Sequence, residues 1–398
     1  MLAVLAPGQG AQQPGMLTPW LDVPTSRGTV HDRMQWWSTV VGIDLLAAGT
    51  TATDDALRDT AIAQPLLVAT GLATMAAVHG DDVVAADAVG VVAGHSVGEV
   101  TAAVIAGALS EEVALTFVRE RGRGMAAASA ATPTGMTALL GGDAKEVAVC
   151  LERLGLDAAN VNAPGQVVAA GTTEQLAQLA ADPPRGVRLR PLSVAGAFHT
   201  RHMTPAGTRL AQLASAMPVA DPVARVLSNA DGTVVTSGSE LLQRLVAQVS
   251  TPVRFDLCLA TMADIGVTAA IELVPAGTLT GIARRELRGI EIVALRSPDD
   301  IDDARALISA HGNHPPMELP GPAWRLVVAP VAGTFSAEVP GPGSRLSAGA
   351  AIGRVATPRS ATDVSTPYGG ILVEWLVADG DPVTPGQPLA RFHPETVA

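Results

Sequence analysis

The chain has 398 residues, only 3% of them aromatic, and a formal net charge of −12. That length admits two or three domains with full cores, and the absence of any Lys/Arg run argues against nucleic acid or an anionic membrane as partner. Cys150 and Cys258 lack metal-ligand spacing and the N-terminus lacks the basic start of a signal peptide, so the expectation is a cytoplasmic protein with two reduced thiols and no structural metal.

In chain order, Leu2 to Ala6 reads as a buried strand that ends in the loop Pro7-Gly-Gln-Gly-Ala-Gln12. Gln64 to His79 reads as a helix. Val89 to Ala93 is a second buried strand, ending in Gly94-His-Ser-Val-Gly98 and followed by a helix over Glu99 to Ala108. The most apolar stretch, Val83 to Leu109, carries Asp87, His95 and Glu99, which argues against a membrane span. Ser110-Glu-Glu opens a further helix with a capping residue and two early acids. Strands alternating with helices predict a parallel sheet.

From Gly135 to Leu192 the order is strand (Met136 to Leu140), helix (Ala144 to Leu154), two strands (near Val161, and Gln166 to Ala170), helix (Glu174 to Ala181) and strand (Val187 to Leu192). This β-α-β-β-α-β order predicts a small ferredoxin-like insert over 130–193. The α/β pattern resumes through about Leu295, giving a first domain over 1–298. A linker is expected over 299–322, made of the acidic Asp299-Asp-Ile-Asp-Asp, a short helix and the Pro-rich segment from His314-Pro-Pro to Pro322. Residues 323–398 predict a separate all-β sandwich, because Leu346, Gly349, Ile352 and Val355 are matched 37 residues on by Val383, Gly386, Leu389 and Phe392.

Ser96 lies between a β-branched strand and a helix in Gly-x-Ser-x-Gly, where the glycines permit the sharp turn of a nucleophile elbow. Arg121 shares a helical face with Val113 and Phe117, and an arginine on an apolar face needs an anion: a substrate carboxylate or a buried acidic side chain. A phosphate loop at Gly8 and Gly10 is disfavoured because no lysine follows.

Gly8-Gln-Gly-Ala-Gln12, Gly94-His-Ser-Val-Gly-Glu99, Arg121-Gly, Gly196-Ala-Phe-His199 and the Leu279-Thr-Gly281 turn together resemble the malonyl-CoA:acyl carrier protein transacylases of fatty-acid and polyketide synthesis. The resemblance implies an α/β-hydrolase-like acyltransferase domain with a parallel sheet. It makes Ser96 the nucleophile and His199 the general base, oriented by backbone carbonyls near Gln248 rather than by an acid. It assigns the oxyanion to the backbone N–H groups of Val97 and Gln12. Arg121, Phe198 and Gln248 fall on the substrate-binding side, Arg121 on the malonyl carboxylate and Phe198 where it disfavours a methyl-branched acyl group. His202 is the rival histidine. Val274-Pro-Ala-Gly277 departs from the family's Gly-Pro-Gly at the coenzyme or carrier edge.

The substrate so implied is malonyl-CoA, the partner an acyl carrier protein, and no cofactor is bound. Two other readings use the same residues differently: a Ser/His thioester hydrolase, and a scaffold acting through its C-terminal domain. That domain resembles biotinyl and lipoyl carriers, from Ala329-Pro-Val-Ala-Gly-Thr-Phe335 through Thr366-Pro-Tyr-Gly-Gly370 to Gly386-Gln-Pro-Leu389. Counting from either repeat places Arg359 where such carriers present a lysine, and Lys145 is the chain's one lysine. A guanidinium stays protonated and cannot accept the acyl group. No biotin or lipoate is therefore expected, and residues 323–398 are read as docking the enzyme to a larger synthase or carboxylase-like complex.

Overall fold

Five consecutive apolar residues, all buried, form β1 (Leu2–Ala6). The computed structural model describes residues 1–80, 88–312, 325–339, 341–358, 360–367 and 369–394. The chain divides into two units, Met1–Met317 and Glu318–Ala398.

In the first unit, β1 leads through a small hairpin and helices over Val30–Val41, Leu45–Thr50 and Asp54–Leu57 to the long helix α1 (Thr60–His79), capped by Asp59, which accepts from the Ala61 N–H, and ended by Gly80 in the left-handed conformation. Among the described residues α1 is the one helix long and apolar enough to cross a membrane, and nearly all of it is buried in the core of this unit. Next come β2 (Val91–Gly94), α2 (Gly98–Ile105) and α3 (Glu111–Ala131), whose N-cap is Ser110 as its sequence predicts. The insert follows: β3 (Thr134–Gly141), α4 (Ala144–Leu154), β4 (Asp157–Ala163), β5 (Gln166–Thr172), α5 (Thr173–Ala181) and β6 (Val187–Pro191). The chain then returns through β7 (Arg225–Leu227), β8 (Val234–Val235), α6 (Gly238–Ala247), β9 (Val253–Arg254), α7 (Phe255–Asp264), β10 (Ala269–Glu272), α8 (Thr278–Glu286), β11 (Glu291–Ala294) and α9 (Ile301–His311).

The main sheet has the order β8-β7-β2-β1-β10-β11, parallel throughout except for the edge strand β8. Apolar residues on both faces of β1 separate two cores: Leu2 and Val4 pack with Leu66 and Val104 on one side, Ala3 and Leu5 with Phe255 and Ile282 on the other. Strands covered on both faces read as unbroken apolar runs. The insert's sheet, β9-β4-β5-β3-β6, has the ferredoxin-like antiparallel order, extended at its edge by β9, which pairs parallel with β4.

Two sequence expectations change. The short helix expected inside the linker is α9, but it does not serve as a linker, for it buries Ile301, Ala304 and Leu307 in the main core. Its Arg305 donates to the carbonyls of Ala77 and Val78, which the end of α1 leaves open. The Pro-rich His314 to Pro322 lies outside the described residues. Leu279-Thr-Gly281 is not a turn but the first turn of α8.

The second unit contains β12 (Arg325–Val328), β13 (Gly333–Ala337), β14 (Arg345–Leu346), β15 (Ala351–Ala356), β16 (Ala361–Ser365), β17 (Gly370–Trp375), β18 (Pro382–Val383) and β19 (Pro388–Pro394). They form two antiparallel sheets, β12-β19-β17-β14 and β16-β15-β13-β18, around Phe335, Ile352, Val355, Leu389 and Phe392. Adding 37 to the residues of β12, β13, β14 and β15 lands on β16, β17, β18 and β19, so one sheet is the repeat of the other, position by position. Gly349 and Gly386, paired in the repeat, have φ of 83° and 81°, a turn conformation that glycine adopts without steric cost. Thr357 to Ser360 is the tight turn between β15 and β16, closed by a Thr357 N–H donating to the Ser360 carbonyl (2.7 Å); Arg359 itself lies outside the described residues.

Candidate active site

The C-terminal ends of β1 and β2 open into a cavity of about 450 Å³ with Ser96 and His199 in its wall. Ser96 sits between β2 and α2, where a Cβ on Gly94 would overlap the backbone of Gly98 and Glu99, and one on Gly98 would overlap the Ala6 carbonyl. Both glycines are thus required for the strand, the turn and the helix to meet. Ser96 (φ 55°) and His199 (φ 61°) are the two non-glycine residues with positive φ among those described. Each such conformation costs about 1–3 kcal/mol and persists only where surrounding contacts impose it.

Those contacts are visible. The Ser96 N–H donates to Asn229 Oδ1 (2.8 Å), and Gln248 Nε2 donates to the Ser96 carbonyl (3.0 Å). The His199 N–H donates to the Val249 carbonyl (3.1 Å). His199 Nδ1 faces the Gln248 carbonyl at 2.7 Å, and its Nε2 faces Ser96 Oγ at 2.7 Å. A carbonyl only accepts, so Nδ1 carries the proton and the Nε2 lone pair points at the hydroxyl. Burial first, and then the Arg121 charge, lower the His199 pKa to about 3, against a smaller opposing effect of the Gln248 carbonyl. The imidazole is therefore neutral at rest, and its tautomer is set by a backbone carbonyl.

Arg121, from α3, is 1% exposed. Its Nη1 donates to Gln64 Oε1 (2.7 Å); its Nη2 donates to Gln248 Oε1 (2.8 Å) and reaches Ser96 Oγ (3.4 Å). No carboxylate among the described residues lies within ion-pair distance, and Nε has no partner. Burial lowers its pKa to about 10, partly offset by Glu99. The acidic side-chain partner weighed for Arg121 is absent among the described residues; the guanidinium does not itself line the cavity but lies directly behind Ser96 and Gln64, which do, satisfied there by neutral amide oxygens.

Phe198 lines the cavity beside His199, with Met125, Met136, Val168, Leu192 and Ile282 completing an apolar wall. Gln12 also lines it, but its side chain turns away, donating to the Leu57 carbonyl and accepting from the Gly10 N–H. Gly8 is the loop residue pressed against the elbow, for a Cβ there would meet the His95 carbonyl at 2.5 Å. Its neighbour Gln9 is therefore nearer the elbow than Gln12. Val97 is fully buried at the start of α2, and its N–H makes no hydrogen bond among those described.

Gln248 corrects one expectation: it is 4% exposed and does not line the cavity, but lies behind it, supporting Ser96, His199 and Arg121 rather than touching a substrate. His202 is also outside the lining, and only its backbone is tied, to Thr200 Oγ1. Asn229, Gln64 and Glu99 belong to the site and were not singled out from sequence. Gln64 had a signal, a lone amide among apolar residues of a helix, and Glu99 lies inside the quoted elbow motif. Asn229 had none. At the cavity edge Glu272 is fully buried and accepts from the N–H groups of Gly277, Leu279 and Thr280, which holds the Val274-Pro-Ala-Gly277 loop against the start of α8.

Residues 4–314 match the family model described as acyl transferase domain. The malonyl CoA-acyl carrier protein transacylase of Mycobacterium tuberculosis is 49% identical over 309 residues, 76% of this chain and 99% of that protein; the Bacillus subtilis protein of the same name is 31% identical over 76% and 95%. The crystal structure of MCAT from Mycobacterium tuberculosis covers 77% of this chain and 99% of its own at a TM-score of 0.71 and 47% identity. A type II PKS acyl-carrier protein in complex with its malonyl-transacylase gives 0.70 at 27% identity, over 77% and 99%.

Proposed function

The chain belongs to the acyl transferase domain family, and from that premise we propose that it transfers a malonyl group from malonyl-CoA to the phosphopantetheine thiol of an acyl carrier protein through an acyl-Ser96 intermediate. The observation that carries this reading is a Ser96–His199 pair, 2.7 Å apart, with a buried arginine free of carboxylate partners reaching the same hydroxyl.

His199 Nε2 takes the Ser96 proton as Oγ attacks the thioester carbonyl. The oxyanion is received by the Val97 N–H and by a backbone N–H of the Gly8–Gln12 loop, for which Gln9 is better placed than Gln12. Collapse breaks the C–S bond, and His199 returns the proton to the departing CoA thiolate. In the second half His199 takes the pantetheine S–H proton, sulfur attacks the acyl-serine, and Ser96 Oγ recovers the proton. Arg121 holds the malonyl carboxylate throughout, and Phe198 closes the space a branching methyl would need.

Residues 323–398 form, on this reading, a biotinyl/lipoyl-like domain that carries neither group, since by the repeat's count Arg359 stands in the sequence where an attachment lysine would; it serves assembly with a larger complex. The two symmetric sheets and the position of the Thr357 to Ser360 turn support the likeness.

Intact-protein mass after mixing with malonyl-CoA tests the function. A malonyl adduct that persists until a carrier protein is added supports transfer. Rapid loss to water supports a hydrolase. No adduct supports scaffolding. Ser96→Ala should abolish the adduct while the circular dichroism spectrum is unchanged; labelling that survives would place the nucleophile elsewhere.

A further inference from the structure

Acyl transfer as written above makes no use of Glu99, a carboxyl group 2% exposed on the first turn of α2, three residues beyond the nucleophile. Its Oε1 accepts the Asn229 N–H (2.7 Å) and its Oε2 accepts from Gln248 Nε2. These two partners are the ones that hold the elbow, through the Ser96 N–H and carbonyl. Gln248 also carries His199 on its backbone carbonyl and Arg121 on its side-chain oxygen. Ser96, His199 and Arg121 are thus each tied to Glu99 through one intervening residue, and none touches it.

The polarity of this network depends on Glu99. An amide has one accepting and one donating end, and a guanidinium only donates. With a Glu99 oxygen as acceptor, the Gln248 NH2 faces Glu99 and its oxygen faces Arg121. Without that acceptor the amide is held only by the Ser96 carbonyl at its NH2 end and by Arg121 at its oxygen. Glutamine at position 99 could serve only one of the two donors, because its own NH2 would meet the other.

Resting on the malonyl-transfer reading, we infer that Glu99 is a positioning residue for this reaction: it fixes Gln248 and Asn229, and through them aims Arg121 and holds the Ser96 elbow.

The charged and titratable groups that act on Glu99 are Arg121 from α3, Arg244 from α6 and the Cys258 thiol from α7. Burial raises Glu99 to about 8, opposed by its bonds to Asn229 and Gln248 and by the two arginines. Above about pH 8, where Glu99 is ionised, a malonyl carboxylate adds a second negative charge beside Arg121, so malonyl loading there is coupled to proton uptake by Glu99. An acetyl group brings no such charge. His199, lowered to about 3, does not titrate in the same range.

The test is the rate of Ser96 acylation by malonyl-CoA and by acetyl-CoA, read by intact mass from pH 6 to 9. In the unaltered protein the malonyl:acetyl ratio should fall several-fold between pH 7 and 9. In Glu99→Gln it should be independent of pH, with malonyl loading at pH 7 reduced tenfold or more and acetyl loading reduced less. A ratio flat with pH in the unaltered protein, or a Glu99→Gln variant with the original ratio and pH dependence, would overturn the inference. Should Glu99→Gln fail to fold, the ratio in the unaltered protein decides alone. Failure of that protein to form any malonyl-Ser96 would instead sink the transfer reading itself.

Discussion

Replacing Arg121 by alanine isolates the charge that distinguishes malonyl from acetyl. The guanidinium is 1% exposed, so a malonyl carboxylate bound to it is screened from water, and losing one partner of such a pair costs roughly 2–5 kcal/mol. At 1.36 kcal/mol per tenfold, the second-order rate of malonyl-Ser96 formation should fall by about 30- to several-thousand-fold. Acetyl has no carboxylate, so its loss is limited to the support Arg121 gives Gln64 and Gln248. Opposing this loss, removing the positive charge that depresses His199 makes the base stronger. Acetyl loading should therefore change little or rise. The assay is time-resolved intact mass with each thioester at equal concentration. Equal losses for the two acyl groups would refute the assignment and leave Arg121 a structural residue.

Two further outcomes follow from the same structure. His199, with a folded pKa of about 3 against an ordinary 6.5, binds fewer protons folded than unfolded between those values, so its stabilising share is full above pH 6.5 and is lost as pH falls. Urea titrations should show the stability gap between the unaltered protein and His199→Asn shrinking by about 1.4 kcal/mol per pH unit below 6.5, and a constant gap would contradict the buried neutral imidazole. A chain cut after Gly312, which keeps α9, should retain malonyl transfer to a free carrier protein, and the purified full-length chain should show no added mass of biotin or lipoate; loss of activity, or either mass, would refute the separation of roles.

Local sequence signals carried much of this. The Gly-x-Ser-x-Gly turn follows from two glycines that have no space for a Cβ, and the inward face of Arg121 follows from helical spacing with Phe117. The insert's strand and helix order was readable because each element is short and bounded by caps such as Asp143 and Thr172. What was not readable depends on tertiary partners far apart in sequence: Glu99 meets Gln248 across 149 positions, and Ser96 meets Asn229 across 133. Neither spacing has a local signature. For α9 the helix was readable, with Asp300 capping its start beside Ser297, but its packing was not, because the burial of Ile301, Ala304 and Leu307 depends on distant partners in the main core.

The charge arrangement also explains why a base without an acidic partner suits this substrate. In a Ser-His-Asp triad the carboxylate stabilises the imidazolium that forms as serine gives up its proton. Here the Gln248 carbonyl supplies orientation but no full charge, and Arg121 opposes the imidazolium. In the free site burial, and after it that opposition, hold His199 near 3, which makes it a weak base and leaves Ser96 protonated. A malonyl carboxylate on Arg121 offsets the opposing charge at the moment the thioester carbonyl arrives at Ser96, so the part of the lowering due to Arg121 is relieved when the acyl group is seated. The arginine that selects the substrate thereby also regulates the base, and both effects require that no acidic side chain pairs with Arg121 in advance.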